Sequence, residues 1–315
     1  MTTEIYYFSG TGNSLYIARS LYNYILDAKL IPIAAILNEN SNKQKFTFKA
    51  TAQTIGFVFP CHGLTIPIPV KKFLKHLDLG TSKYVFAVIT RGGSVFHGFS
   101  TINKIIHKQR KKLNASFIID MGMNDPKLKF FSIPSEKELR AIELNFLEKV
   151  KIIKNIIINQ EEYHDDIRGD TFSHFKSFNY ILEKLVAFTV HHIAPKVKKY
   201  FYTDSKCIGC GICQKVCLSQ KIIMVNDRPI WQKHIDCYYC YACLNFCPTE
   251  SIQIYSKFYM KSYSEEKGRY PHPYAKVKDM VNQKEISSYC VKQNSKYSAI
   301  GDKEKIVITN QKMVN

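Results

Sequence analysis

Eight of the ten cysteines fall into two copies of one spacing. Each copy reads C-x2-C-x2-C-x3-C, and the second begins thirty residues after the first, which gives Cys207, Cys210, Cys213, Cys217, Cys237, Cys240, Cys243 and Cys247. Thiolates are soft ligands that suit iron–sulfur clusters and zinc. Structural zinc sites usually pair two C-x2-C elements across a long gap. The two tight runs of four therefore favour two [4Fe-4S] clusters over zinc or a disulfide framework.

Residues 200–256 resemble the bacterial two-cluster ferredoxins. In that pattern each cluster takes three cysteines from one run and its fourth from the other. The resemblance assigns Cys207, Cys210, Cys213 and Cys247 to one cluster, and Cys237, Cys240, Cys243 and Cys217 to the second. Pro248 follows the last cysteine, whereas Leu218 stands at the corresponding place where many ferredoxins have proline. The repeated spacing predicts an internal duplication in which a short helix follows each cysteine loop.

A second motif lies at the N-terminus. The strand pattern of residues 4–8 runs directly into a loop rich in glycine and hydroxyl groups, and apolar residues at helical spacing follow it. The loop consists of Ser9, Gly10, Thr11, Gly12, Asn13 and Ser14. A strand, a glycine-rich loop and a helix bind phosphate through backbone N–H groups and the positive helix end. A P-loop is excluded because there is no Gly-Lys-Ser/Thr, and Leu15 occupies the third glycine position of the dinucleotide fingerprint.

Four further strands are predicted after the first, at residues 30–33, 54–59, 84–89 and 115–120, with helices at 67–77, 98–112 and 136–160. Five strands that alternate with helices predict an α/β fold with a doubly wound parallel sheet. Ligands bind such sheets beyond the carboxyl ends of the strands. Two more loops should meet the first loop there, namely Pro60, Cys61, His62 and Gly63, and Thr90, Arg91, Gly92, Gly93 and Ser94.

Residues 1 to about 280 resemble the flavodoxin–ferredoxin fusion proteins of anaerobes. The matching motifs are S-G-T-G-N-S, F-P-C-H-G, T-R-G-G-S, both cysteine runs and the stretch Gly268–Pro273. The resemblance implies a flavodoxin-like five-stranded sheet in the order 2-1-3-4-5, FMN bound by the three loops, and electron transfer through FMN and the clusters. Neither loop around the flavin ring carries the tryptophan or tyrosine that many flavodoxins stack on it. His62 or Phe96 would have to substitute, or the ring is more exposed.

The chain divides into four predicted parts: a flavodoxin-like FMN-binding domain at 1–160, a helical linker at 161–199, a small α+β ferredoxin domain at 200–256, and a basic, tyrosine-rich tail at 257–315. We expect no secretion signal and no transmembrane helix, because no apolar run of about 18 residues occurs. Cysteines that ligate clusters require a reducing compartment, which predicts the cytoplasm.

The formal net charge is +19. Bound clusters and a flavin phosphate would lower this value but would leave the protein basic. The charge leaves open a solvated lysine surface, a field that attracts an acidic redox partner, and nucleic-acid binding. No helix-turn-helix or RNA-binding signature supports the last interpretation.

Two functions from different classes fit these motifs. The chain is either an electron carrier between FMN and the clusters, or a flavin-dependent reductase of a small molecule that the clusters supply with electrons. No acid–base constellation is visible near the three loops, which favours the carrier and gives no catalytic residue, whereas Arg91 could orient an anionic substrate. Cys61 is expected to be a small buried thiol. Tyr238, Tyr239 and Tyr241 either shield a cluster or only fill space.

Overall fold

The computed structural model describes residues 2–43, 45–167, 176–193, 199–255 and 261–285. A six-stranded parallel sheet forms the N-terminal half, in the order β2-β1-β4-β6-β7-β8. Its strands are β1 (Thr3–Tyr7), β2 (Ala28–Pro32), β4 (Thr54–Pro60), β6 (Tyr84–Arg91), β7 (Ala115–Asp120) and β8 (Tyr163–His164). Two-residue strands β3 (Phe48–Lys49) and β5 (Leu77–Asp78) pair with each other beside it. The predicted parallel α/β sheet is therefore confirmed.

The prediction of five strands is wrong by one, because β8 joins the sheet edge beyond the predicted domain boundary at residue 160. Ala115 of β7 pairs with Tyr163. A strand of two residues carries no alternation of polar and apolar side chains, so a periodicity argument does not detect it.

Five helices accompany the sheet: α1 (Asn13–Tyr24), α2 (Ile33–Glu39), α3 (Ile68–His76), α4 (Gly98–Ile106) and α5 (Glu136–Asn159). The helix α5 begins at a capping box, in which the Ser135 hydroxyl accepts from the Glu138 N–H and the Glu138 carboxylate accepts from the Ser135 N–H. The strands β1, β4 and β6 are buried almost throughout, as expected for strands that have helices on both faces.

Each face of the sheet has its own apolar core. Tyr6, Phe57 and Phe73 lie in one, and Phe117 and Val150 lie in the other. Full burial of each such side chain stabilises the fold by about 1.5–3 kcal/mol. This packing makes the sheet a rigid platform for the loops at its carboxyl edge.

The cysteine-rich segment is built from small elements. Strand β9 (Phe201–Thr203) pairs with β12 (Ile252–Ile254), and β10 (Ile222–Val225) forms a hairpin with β11 (Arg228–Trp231). The short helices α7 (Ile212–Val216) and α8 (Ala242–Asn245) contain the third cysteine of each run. The prediction of a helix after each run is therefore wrong. The helices start within the runs, and the strands β10 and β12 follow them.

The described part of the predicted tail folds back over the N-terminal domain. It ends in α9 (Val277–Asn282), where Asp279 pairs with Arg19 of α1. The Arg269 guanidinium is buried and donates to the carbonyl oxygens of Glu250 and Ile252. The end of the tail, including Cys290, lies outside the described residues. Between the two main parts lies α6 (Lys176–Phe188), followed by a short π-helical turn, Thr189–Ile193. None of the described helices is long and apolar enough to cross a membrane.

Candidate flavin and iron–sulfur site

A pocket opens at the carboxyl edge of the sheet, and several separate parts of the chain line it. They include two of the predicted loops, the residues after β7, the turn after α6 and the second cysteine run. The lining residues are Ser9, Gly10, Thr11, Asn13, Ser14, Pro60, Cys61, His62, Gly63, Ile68, Asn124, Asp125, Thr189, Val190, Tyr200, Tyr238, Tyr239, Cys240 and Tyr241. The structure thus brings the phosphate-type loop and a predicted cluster ligand to one cavity.

The loop at 9–14 keeps its hydroxyl protons available. The Ser9 Oγ accepts from the Gly12 N–H at 3.1 Å, and the Thr11 Oγ1 accepts from the Asn124 amide. Because both oxygens act as acceptors in these bonds, each hydroxyl can still donate to a phosphate oxygen. Gly12 has a φ of 109° at the N-terminus of α1, a conformation that favours glycine. The loop residues therefore fit a phosphate at the start of this helix.

The C-terminal segment holds the other side of the same loop. The Ser9 N–H donates to Gln283 Oε1, and Gln283 Nε2 donates to the Ser9 carbonyl oxygen, both at 3.1 Å. The His272 N–H donates to the Thr11 carbonyl oxygen at 2.8 Å. Gln283 is fully buried. The loop geometry therefore depends on residues more than 250 positions away, a dependence that no local sequence pattern reveals.

The second loop places uncharged groups at the pocket. Burial lowers the pKa of His62 to about 4, so the imidazole is neutral at pH 7. Burial also raises the pKa of the Cys61 thiol to about 11, and its Sγ lies 3.7 Å from the Ser94 Oγ. Cys61 is therefore a protonated thiol rather than a nucleophile.

The third loop is not among the lining residues of this pocket. Thr90 supports the first loop, because its Oγ1 lies 2.7 Å from the Ser14 Oγ. The Arg91 Nε donates to Asp120 at 2.8 Å, and the Arg91 side chain is only 8% exposed. Phe96, the other ring suggested as a neighbour for the flavin, is fully buried in the core. The structure therefore brings two of the three predicted loops to the pocket, and the residues 90–94 lie behind them.

Asn124 and Asp125 also line the pocket, although neither belongs to a predicted loop. They follow β7, whose carboxyl end lies at the same edge of the sheet as those of β1 and β4, so the strand-end rule applied to the fifth strand could have found them. Burial raises the pKa of Asp125 to about 6, and the Lys127 N–H and ammonium partly offset this effect. The Lys127 ammonium itself lies 5.1 Å from the centre of the Tyr200 ring.

The cysteines form two groups of four, and the members of each group affect one another's pKa values. Burial raises the pKa of Cys213 to about 11, with smaller contributions in the same direction from Cys247, Cys210 and Cys207. Burial likewise raises the pKa of Cys243, with additional effects from Cys217, Cys237 and Cys240, and a smaller one from Cys213. Each group includes the fourth cysteine of the opposite run. These neighbours therefore fit the ferredoxin resemblance, in which each cluster takes its fourth ligand from the other run.

Among the described residues, no three His, Cys, Asp or Glu side chains converge closely enough to hold one metal ion. A [4Fe-4S] cluster asks for a different arrangement, because each of its four thiolates binds a separate iron. Burial opposes the Cys247 thiolate, but hydrogen bonds with Ser251 and Thr249 outweigh this effect and lower its pKa. These hydrogen bonds favour the thiolate form of Cys247, which is the form that binds iron.

The two cysteine runs share an unusual backbone. In the first run Gly209 and Gly211, which flank the second cysteine, both have a φ of 71°. In the second run Tyr239 and Tyr241 occupy the same places with φ of 51° and 58°. A left-handed backbone costs a residue with a side chain about 1–2 kcal/mol. The duplication is thus visible in the backbone, and only the second copy bears this cost.

The second run packs directly on the phosphate-type loop. A side-chain carbon added to Gly10 would overlap the carbonyl oxygen of Cys240. The Asn245 amide also donates to the Asn124 carbonyl oxygen at 3.1 Å, and its Oδ1 accepts from the Tyr270 N–H. The predicted flavin loop and the predicted cluster loop are therefore in contact.

Comparison with known proteins identifies the cysteine-rich segment. Residues 206–252 match the family described as a 4Fe-4S dicluster domain. The chain thus joins a parallel α/β domain to a segment of an iron–sulfur family. No curated protein matches the chain.

Three solved structures show weak likeness. Rubredoxin oxygen:oxidoreductase from Desulfovibrio gigas is 15% identical over 49% of this chain, with a TM-score of 0.29, and the match spans only 36% of that protein. An archaeal flavodoxin is 16% identical over 48% of this chain and 99% of its own, with a TM-score of 0.29. A flavoprotein from Bacteroides uniformis is 17% identical over 45% of this chain and 97% of its own, with a TM-score of 0.27.

Proposed function

We propose that this chain is an electron-transfer protein that holds FMN and two [4Fe-4S] clusters and relays electrons between them. One observation supports the proposal most strongly. Cys240, a predicted cluster ligand, lines the same pocket as the glycine-rich loop at 9–14, and its carbonyl oxygen packs on Gly10. A flavin in this pocket would contact the peptide loop that holds the neighbouring cluster.

The residues suit these groups. Cys207, Cys210, Cys213 and Cys247 would hold one cluster, and Cys237, Cys240, Cys243 and Cys217 the second. The loop at 9–14 would hold the FMN phosphate through Ser9, Thr11 and the backbone N–H groups at the start of α1. When bound, the clusters supply one-electron chemistry, and the flavin accepts or donates one or two electrons.

The chain itself would hold its two halves in place and shield the pocket from water. Tyr238 lines the pocket and is 8% exposed, so its ring would shield this side of the pocket from water. The buried Arg269 and Gln283 attach the C-terminal segment to both halves, which limits the orientations that they adopt. Residues 1 to about 167 would form the flavin domain and residues 200–256 the cluster domain. The basic surface would attract an acidic redox partner in the cytoplasm.

Anaerobic purification tests the proposal. We expect about eight irons and eight inorganic sulfides per chain, with one FMN. In a stopped-flow experiment on the fully loaded chain, reduced clusters should reduce the flavin at a rate that does not depend on protein concentration. Two zinc ions without sulfur-to-iron charge-transfer bands would refute the clusters, and a rate that rises with protein concentration would refute the internal relay.

A second function is a flavin-dependent reductase, and Asp125 favours it. Its carboxyl group lines the pocket, and its pKa of about 6 allows proton donation near neutral pH. The test compares wild type with Asp125→Asn after reduction, using benzyl viologen as a one-electron acceptor and menadione as a two-electron acceptor. A carrier should reduce both at unchanged rates in the variant. A selective loss with menadione of tenfold or more would favour the reductase.

A further inference from the structure

The two cysteine runs differ at the residues that flank their second cysteine. Both runs need a left-handed backbone at these two places, and the first run meets that need with Gly209 and Gly211. The second run uses Tyr239 and Tyr241 instead. Glycine would satisfy the same backbone without strain, so the second run keeps both tyrosine side chains at the cost of a strained backbone.

The surroundings of the two runs differ. In the first run a side-chain carbon at Gly209 would meet the Asp227 Cβ at 2.9 Å, whereas one at Gly211 would meet only Met224, at 3.9 Å. Tyr239 and Tyr241, by contrast, line the pocket that the loop at 9–14 also lines. The bulky rings are therefore found in the copy that faces the pocket and are absent from the copy that does not.

A network of rings holds the two tyrosines in place. The Tyr200 and Tyr241 hydroxyl oxygens lie 2.9 Å apart, and the Tyr200 and Tyr239 rings meet edge to face at 4.9 Å. Tyr238 packs edge to face on Phe8 of the sheet domain at 6.1 Å. Such contacts fix ring orientation and keep the aromatic surface at the pocket preorganised.

The other pocket walls supply no such surface. The loop at 60–63 contributes a single ring, the neutral His62, and the turn after α6 contributes Thr189 and Val190. Planar aromatic ligands gain affinity from stacking or edge contacts with aromatic side chains. The flavodoxin-like half therefore provides the phosphate end of the pocket, and the aromatic wall comes from the cysteine-rich half.

We propose that Tyr239 and Tyr241 form the binding wall for the flavin ring, so that the isoalloxazine group is recognised by the cluster-binding loop. This inference depends on the proposed function, because it assigns the ring end of the same FMN site. Both tyrosines adopt a left-handed backbone, so placing their rings at the pocket strains the second run.

The test uses the intact chain with its clusters assembled and its flavin removed. Tyr239→Gly and Tyr241→Gly restore the residue type of the first run. We expect each to weaken FMN binding by tenfold or more in a fluorescence titration, while iron content stays at the wild-type level. Residual bound FMN should also regain fluorescence, because an adjacent tyrosine ring quenches it.

Two further variants separate the ring from the backbone. Tyr239→Leu keeps the side-chain branch and the backbone strain but removes the aromatic ring, so it should lose FMN as Tyr239→Gly does. Gln220→Gly relieves a left-handed residue, with φ of 57°, that does not line the pocket, and it should leave FMN affinity unchanged. If Tyr239→Leu binds FMN as tightly as wild type, the ring is not the recognised feature and the inference fails.

The outcomes are distinguishable from failure of the proposed function. If wild type binds no flavin, the proposed function fails and the inference fails with it. If wild type binds FMN and both glycine variants bind it equally well, only the inference fails. Loss of four irons in either glycine variant would also overturn it, because the tyrosines would then serve the cluster. Affinity for riboflavin should fall in the same proportion, since the wall contacts the ring rather than the phosphate.

Discussion

The two cysteine runs share a spacing and a backbone, but they face different surroundings. In the first run Cys210 is exposed and Ile208 is 68% exposed. In the second run Tyr238, the counterpart of Ile208, is 8% exposed, and Cys240 packs on Gly10 of the sheet domain. Duplicated ligand loops can therefore diverge in function through the residues between the cysteines. Of the two runs, the second lines the pocket and the first does not.

Removing one cysteine ligand from each run should give the largest effects on iron content and flavin binding, and it tests whether the two runs differ. Cys213→Ala and Cys243→Ala should each lose about four irons, because a cluster needs all four thiolates. The two variants should differ in flavin binding, since only the second run lines the pocket. We expect Cys243→Ala to weaken FMN binding and Cys213→Ala to leave it within about twofold, measured by iron assay and flavin titration. Equal flavin affinity in the two variants would contradict the difference between the runs.

Gly10→Ala tests the contact between the halves. Its added carbon would overlap the Cys240 carbonyl oxygen, and overpacking of this kind costs about 1–3 kcal/mol. We expect a lower free energy of unfolding and at least a tenfold loss of FMN affinity. Gly211→Ala in the first run is the control, because it introduces backbone strain without a close neighbour. It should cost about 1–2 kcal/mol of stability and leave FMN affinity unchanged.

Asp125→Asn tests whether the carboxyl group of Asp125, in the pocket wall, makes the stability of the protein depend on pH. The pKa of Asp125 is about 6 in the folded chain and 3.8 in its ordinary state. Since the folded state binds the proton more tightly, wild-type stability falls as pH rises through this window and then stays constant. The variant lacks this penalty. It should gain about 2 kcal/mol over wild type at pH 8, and the gain should shrink towards pH 4. A gain that does not change with pH would show that the carboxyl group is not responsible.

Thr11→Ala should produce the smallest effect. The Thr11 hydroxyl is available to one phosphate oxygen, and a hydrogen bond to a charged group contributes about 1.5–3 kcal/mol. FMN affinity should fall roughly tenfold, whereas riboflavin affinity should not change, because riboflavin has no phosphate. Equal losses for the two flavins in isothermal titration would exclude Thr11 from the phosphate end.

The sequence predicted those features that strong local chemistry defines. The cysteine spacing fixed the region of the cluster site, and the buried runs at residues 54–59 and 84–89 predicted parallel strands because apolar side chains must be covered on both faces. It did not reveal β8, whose two residues carry no period. Nor did it reveal the left-handed tyrosines, because local rules assign such a backbone to glycine. The contact of Gln283 with Ser9 connects positions without a shared pattern, so only the folded chain brings them together.

The bond pair between Ser9 and Gln283 also has a consequence for biosynthesis. The two residues are 274 positions apart, and chains grow at about 5–20 residues per second, with N-terminal parts folding first. The sheet can therefore form while the nascent loop at 9–14 still lacks the partner for its backbone. That loop waits on the order of tens of seconds at the ribosome until the distant glutamine emerges. The pocket thus matures only after translation has passed both cysteine runs, so its assembly follows that of the sheet by the synthesis of the whole iron–sulfur segment.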